Sequence, residues 1–202
     1  MGQVLIPLEP EGYYHIYNRG INSCILFRET CNFEYFLKLY RKYIDPVAET
    51  YAWVLMRNHF HFFLKIREEK VIFANLEGFH GLNVLKRINQ QFSNLFNAYT
   101  KAYNKRYKRT GSLFEHGFRR KRIENSEHFK TLIRYIHHNP VYHGICDHPV
   151  DYSWCSYLSC ISEKPTRLNR KVVMDWFDDM DSFKQMHEQK VEVKKMETWL
   201  GI

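Results

Sequence analysis

The chain predicts an α+β domain in which a four-stranded antiparallel sheet, built in split β-α-β order, carries its helices on one face. Three observations lead there. Residues 13–20 and 59–66 alternate aromatic or apolar side chains with polar ones, the period of a strand. Residues 31–44 place Phe33, Phe36, Leu37, Tyr40 and Ile44 at steps of three and four, the period of an amphipathic helix. The apolar runs at 50–56 and 59–66 are joined only by Arg57-Asn58, so they must pair as an antiparallel hairpin.

Taken in order, the first strand ends at Gly20 and the first helix at Asp45-Pro46, because the residue before proline disfavours helical geometry. After the hairpin, 67–81 reads as a polar connection containing Gly78 and Gly81. A long helix is expected from about Leu82 to Tyr103, with Leu85, Ile88, Phe92, Leu95, Phe96 and Tyr99 on one stripe. Thr110-Gly111 breaks it, and a strand follows at 118–123. Asn125 or Ser126 can cap a helix over 127–138, whose interior side holds Phe129, Leu132, Ile133 and Ile136 and which should stop at Asn139 before Pro140. Tyr152, Trp154 and Tyr157 should pack back on the domain. The remainder, from about 167, reads as one or two short helices anchored by Trp176, Phe177, Phe183 and Trp199. The order β-α-β-β-α-β is that of a ferredoxin-like sheet whose central strands are its first and third, with the tyrosine-bearing helix and a C-terminal helical extension added. The expected division is residues 1–160 for the domain and 161–202 for the extension, and one sheet face should stay open.

Charge is concentrated. Residues 101–122 hold nine Lys or Arg (Lys101, Lys105, Arg106, Lys108, Arg109, Arg119, Arg120, Lys121, Arg122) against Glu115 alone, which equals the formal net charge of +8 of the whole chain. A surplus confined to one stretch is the footprint expected for a polyanion. The five cysteines are odd in number and none are spaced C-x-x-C, so a disulfide framework or a cysteine zinc site is not expected. With no long apolar run near the start and none of about 18 residues anywhere, a cytoplasmic protein without membrane contact is expected.

Two short patterns can carry chemistry. In WVLMRNHFHFFLKI, His59 and His61 project from one face of a strand at a Cα spacing of about 6–7 Å, close enough to hold one divalent ion. In LIRYIHHNP, Tyr135 and Asn139 lie one helical turn apart and share a face. Each pattern alone is weakly specific, since a tyrosine on such a helix is commonly core and an asparagine before proline commonly ends a helix.

In combination with YYHIYNRG, NKRYKRTGSLFEHGF, RYIHHNPVYHG and DYSWCSY, the chain resembles the HUH single-tyrosine transposases, in particular the REP-associated branch, over residues 13–157. The resemblance implies metal-dependent cleavage and rejoining of single-stranded DNA, often at a hairpin, with Mg²⁺ or Mn²⁺ as cofactor. Carried over by position, His59, His61 and Asn139 would be the metal ligands and Tyr135 the nucleophile. One departure is Arg57, where the family often has proline. A guanidinium there could touch phosphate.

Under this reading Lys105, Arg106, Lys108, Arg109, Arg119, Arg120, Lys121 and Arg122 would neutralise the DNA backbone, and Tyr103, Tyr107, Phe114 and Phe118 could stack on bases. His15, His116, His137 and His138 could contact phosphate or support the ligands from behind, but the structural reading is favoured for each. No nucleotide cofactor is expected, since a phosphotyrosine link conserves the energy needed for rejoining. The alternative is a hairpin-binding protein for single-stranded DNA or RNA that keeps the scaffold without the chemistry. A relaxase would bring a third histidine near the pair, and a histidine-triad hydrolase would need histidine where Phe63 stands.

Overall fold

The computed structural model describes residues 6–76, 83–189 and 191–201. Gly78, Gly81 and Leu82, which the sequence reading placed in a connection and at a helix start, lie outside them.

Side-chain alternation builds the sheet. Strands β1 (Tyr13–Arg19), β2 (Ala48–Met56), β3 (His59–Ile66) and β4 (Arg119–Arg122) pair antiparallel in the order β2-β3-β1-β4, so the first and third strands are central as expected. Tyr17 lies opposite His61, and His15 opposite both Phe63 and Lys121. On one face, Phe60, Phe62, Leu64 and Ile66 meet helices α1 (Thr30–Tyr43) and, beyond the short α2 (Glu69–Asn75), α3 (Val84–Arg106). Tyr40 stacks on Phe62 at 4.3 Å between ring centroids, and Phe36, Ile88, Phe92 and Leu95 are buried around them. Helix α2 occupies part of the expected polar connection. Its buried Ile72 gives so short and polar a segment little periodicity to read.

The face expected to be open is covered. Helix α4 (Glu127–Tyr142) lies across β2 and β3, and α5 (Tyr157–Ile161), α6 (Arg170–Trp176), α7 (Met180–Glu188) and α8 (Val193–Leu200) complete a second core on the same side. Tyr51, Val54, Met56 and Phe63 point into it and meet Phe129, Leu132, Ile133, Phe177 and Phe183. A register shift between Thr50 and Ala52 gives β2 one extra residue. Among the described residues the C-terminal segment forms three helices after residue 167, one more than the longer expectation, and they bury apolar surface that would otherwise face water.

Helix α4 also corrects the expected stop at Asn139: it runs through Pro140 to Tyr142. Proline costs a helix the bond from its own nitrogen, but here the end is near. His143 N–H still reaches Asn139 O at 3.1 Å and Ile145 N–H reaches Pro140 O at 2.9 Å, while Asn139 and Pro140 are both buried. At the other end Asn125, one of the two expected caps, accepts from Glu127 N–H at 2.9 Å.

The free edge of β2 is capped. Leu55 N–H donates to Trp154 O, Ser156 N–H to Trp53 O, and Asn169 N–H to Thr50 O, at 2.8–2.9 Å. Trp154 stacks on Phe33 at 4.5 Å and the Tyr152 hydroxyl donates to Leu55 O, so these aromatics pack back on the domain as expected. Among the described residues no helix is long and apolar enough to cross a membrane.

Candidate active site

A cleft of about 560 Å³ opens between the end of β3, β1 and α4. His59, His61, Tyr135 and Asn139 all line it, as the sequence reading required. Strand alternation brings the two histidines to one face, and the one-turn spacing on α4 brings Tyr135 and Asn139 to meet them. The Tyr135 ring stands edge-on to His61 at 5.6 Å.

Hydrogen bonds orient the imidazoles. Asn58 Oδ1 stands 2.8 Å from His59 Nδ1, and a neutral imidazole, with its one ring hydrogen, donates from only one of its nitrogens. Asn139 Oδ1 stands 3.1 Å from His59 Nε2, so whichever of the two oxygens accepts the hydrogen, the other faces a lone pair. His61 Nδ1 meets His15 Nε2 at 3.0 Å, leaving His61 Nε2 for the cleft. Burial holds both imidazoles neutral: it lowers His59 to about 4, a fall opposed by the Asn139 contact and deepened by His143 and Arg19, and it takes His61 well below the usual histidine range with help from His15, His59 and His143. Facing acceptors with no proton between them are the arrangement a cation relieves, so the donor set fits a divalent ion. Among the described residues no group of three or more His, Cys, Asp or Glu could hold a metal ion. Any such site therefore rests on two imidazoles and a carboxamide, with positions left for substrate oxygen and water.

Tyr135 is 2% exposed. Burial raises its phenol well above the ordinary tyrosine range. Asn139 opposes that rise, while the Glu197 carboxylate adds to it. Glu197 and Gly201 come from α8 and the residue after it, so the C-terminal segment supplies part of the cleft wall. The sequence offered no signal for this. It did offer one for His143, which also lines the cleft: the residue lies four after Asn139 and eight after Tyr135, on the same helical stripe. Its ring stands 5.1 Å from that of His59. Tyr17, Arg19 and Glu115 complete the wall, with Arg19 paired to Glu115, the one acid in the basic stretch.

The basic residues do not form one surface. Alternation along β4 turns Arg119 and Lys121 to the cleft side of the sheet and Arg120 and Arg122 to the other. Arg119 is exposed on the cleft wall. The Lys121 ammonium covers the Trp199 ring and donates to Trp199 O. Arg120 lies over Phe118 at 4.3 Å and donates to Asn89 Oδ1 at 2.9 Å, and burial lowers it to about 10. Arg122 pairs with Glu9. At the end of α3, Lys105 and Lys108 are exposed, Arg106 bridges to Glu29 at 2.7 Å, and Arg109 is held by Asn104 and Ser112 O at 2.9 Å. Arg57 is exposed in the hairpin turn and is not among the cleft residues.

Of the aromatics considered for base stacking, Phe114 and Tyr103 are buried in the helix-side core, where Phe118 and Tyr107 pack against them. Of the histidines read as structural, His137 is so: its Nδ1–H donates to His187 Nε2 at 2.9 Å and its Nε2 accepts from Ser156 O–H at 2.7 Å. His15 is not a bystander, since it touches His61.

No protein-family model matches the chain, and no curated protein sequence does. Among solved structures, the chain is similar to a REP-associated tyrosine transposase bound to a REP hairpin, with a TM-score of 0.60 and 16% identity over 82% of this chain and 89% of that one. At that identity the likeness establishes the α+β fold with its four-stranded antiparallel sheet.

Proposed function

We propose that the protein cleaves and rejoins single-stranded DNA through a covalent 5′-phosphotyrosine on Tyr135. One observation carries the reading: a tyrosine, two neutral imidazoles and a carboxamide line a single cleft with an exposed arginine on its wall. The structural neighbour, bound to a REP hairpin, supports hairpin-containing single strands as the partner.

In this scheme the Tyr135 oxygen attacks phosphorus as the bond from phosphorus to the 3′ oxygen breaks. The phenol loses its proton, the 3′ oxygen leaves as a hydroxyl, and the 5′ phosphate stays on the tyrosine. Attack by a 3′-hydroxyl reverses the exchange without a nucleotide cofactor. His59, His61 and Asn139 would hold Mg²⁺ or Mn²⁺, which supplies Lewis-acid withdrawal of charge from a non-bridging phosphate oxygen. Arg119 on the cleft wall would meet a phosphate of the strand, while Lys105, Lys108 and Arg57 are exposed outside the cleft.

The burial of Tyr135 favours the second reading, a hairpin-binding protein without chemistry. Incubation with labelled hairpin-bearing single strands and Mn²⁺ separates the two. A denaturant-resistant protein–DNA band, lost in Tyr135→Phe with binding kept within about twofold, supports cleavage. Tight binding with no band supports the alternative.

A further inference from the structure

His15 is a histidine in an expensive place. It is 0% exposed at the centre of the sheet, its ring parallel to that of His61 within 2°, and its buried Nδ1 has no hydrogen-bond partner among the described residues. Lys121 stands opposite across the β1–β4 pair, and the 3.0 Å between His15 Nε2 and His61 Nδ1 holds a single hydrogen. Two arrangements are possible. If His15 donates, His61 carries its proton on Nε2, toward the cleft, and offers no lone pair there. If His61 donates from Nδ1, its Nε2 lone pair faces the cleft, and the hydrogen of His15 moves to the unpartnered Nδ1.

His59 provides the comparison within the same strand. Its Nδ1 meets Asn58 Oδ1 at 2.8 Å, and in the tautomer that donates there Nε2 is the inward acceptor. An imidazole that ligates a metal through one nitrogen ordinarily donates through the other, and that outer partner sets its tautomer and basicity. We propose that His15 is the positioning residue for His61, accepting its Nδ1 proton at 3.0 Å so that both histidines of β3 present Nε2 lone pairs to one divalent cation. The inference rests on the metal reading above. It explains the orphaned Nδ1: a side chain serving only to fill the core would lose nothing by being apolar, whereas a proton acceptor for His61 must carry its own hydrogen on the far nitrogen.

The experiment compares Mn²⁺ binding, read from the free-ion EPR signal, in the wild type, His15→Phe and His59→Ala, together with the imidazole ¹⁵N–¹H spectrum of the wild type in Mg²⁺. His15→Phe should weaken Mn²⁺ binding about tenfold or more, the range for lost outer partners, without lowering the melting temperature of the metal-free protein. The spectrum should show His61 protonated on Nδ1. Wild-type affinity in His15→Phe beside lost binding in His59→Ala overturns the inference and leaves the metal reading standing. A wild type with no saturable Mn²⁺ binding removes both. Should His15→Phe not fold, a His61 proton on Nε2 in the Mg²⁺ spectrum overturns the inference by itself.

Discussion

His59 Nε2 stands 3.1 Å from Asn139 Oδ1 across the cleft. The two residues are 80 positions apart, and only the packing of α4 on β3 brings them together. A cation bound between them couples a strand to a helix and should therefore stabilise the whole fold.

Mn²⁺ at about 100 times its dissociation constant adds roughly 2.7 kcal/mol by mass action. For a domain of this size that should raise the melting temperature by about 5–10 °C. Differential scanning fluorimetry with and without Mn²⁺ checks this, and Asn139→Ala should lose most of the increase.

Arg119 and Arg120 are neighbours in sequence but face opposite sides of the sheet. Arg119→Ala should weaken single-strand binding and reduce the slope of log K against log salt by about 0.7, one phosphate contact. Arg120→Ala should leave that slope unchanged and lower stability by about 1 kcal/mol, through the lost contacts with Phe118 and Asn89. Fluorescence anisotropy over a salt series and urea melts distinguish the two effects.

Burial is the main cause of the raised Tyr135 phenol, and Glu197 adds to it. Glu197→Gln removes a negative charge that also opposes an incoming phosphate. Covalent adduct should form about two- to fivefold faster, equivalent to about 0.5–1 kcal/mol at the barrier. An unchanged or slower rate in a gel time course would contradict this electrostatic account.

His187 is 1% exposed and lowered to about 3, first by burial, with a bond to Phe183 O opposing the fall. Its folded value lies below its unfolded value of about 6.5, so the unfolded chain binds the extra proton. The neutral form's contribution is complete above about pH 6.5 and declines as pH falls toward 3, by up to about 1.4 kcal/mol per pH unit. Urea midpoints at pH 7 and pH 5 should show the drop, and His187→Gln should flatten it by about one proton.

The strands were legible because alternation is a local signal, and the hairpin because a two-residue link leaves one geometry. Tyr135 with Asn139 and His59 with His61 were legible as pairs for the same reason: one helical turn or one strand repeat defines each face. The covering of the second sheet face was not legible. Residues 167–201 are rich in charge, and their apolar anchors acquire a direction only when α4 and β2 offer a surface to pack on. The run from Arg119 to Arg122 reads as a single patch in one dimension, and pairing with β1 splits it.

From its own residues, then, the chain specifies which side chains share a local face: two imidazoles on β3, a tyrosine and an amide on α4. Local sterics repeat every two or 3.6 residues, so sequence alone carries that information. The tertiary structure decided everything that depends on contacts distant in sequence. It set His15 against His61, turned His59 Nε2 toward Asn139, and brought Glu197 into the cleft beside a buried Tyr135. Those contacts arise from burial of apolar surface by elements far apart in the chain, a force that is non-directional and leaves no periodic mark in the sequence.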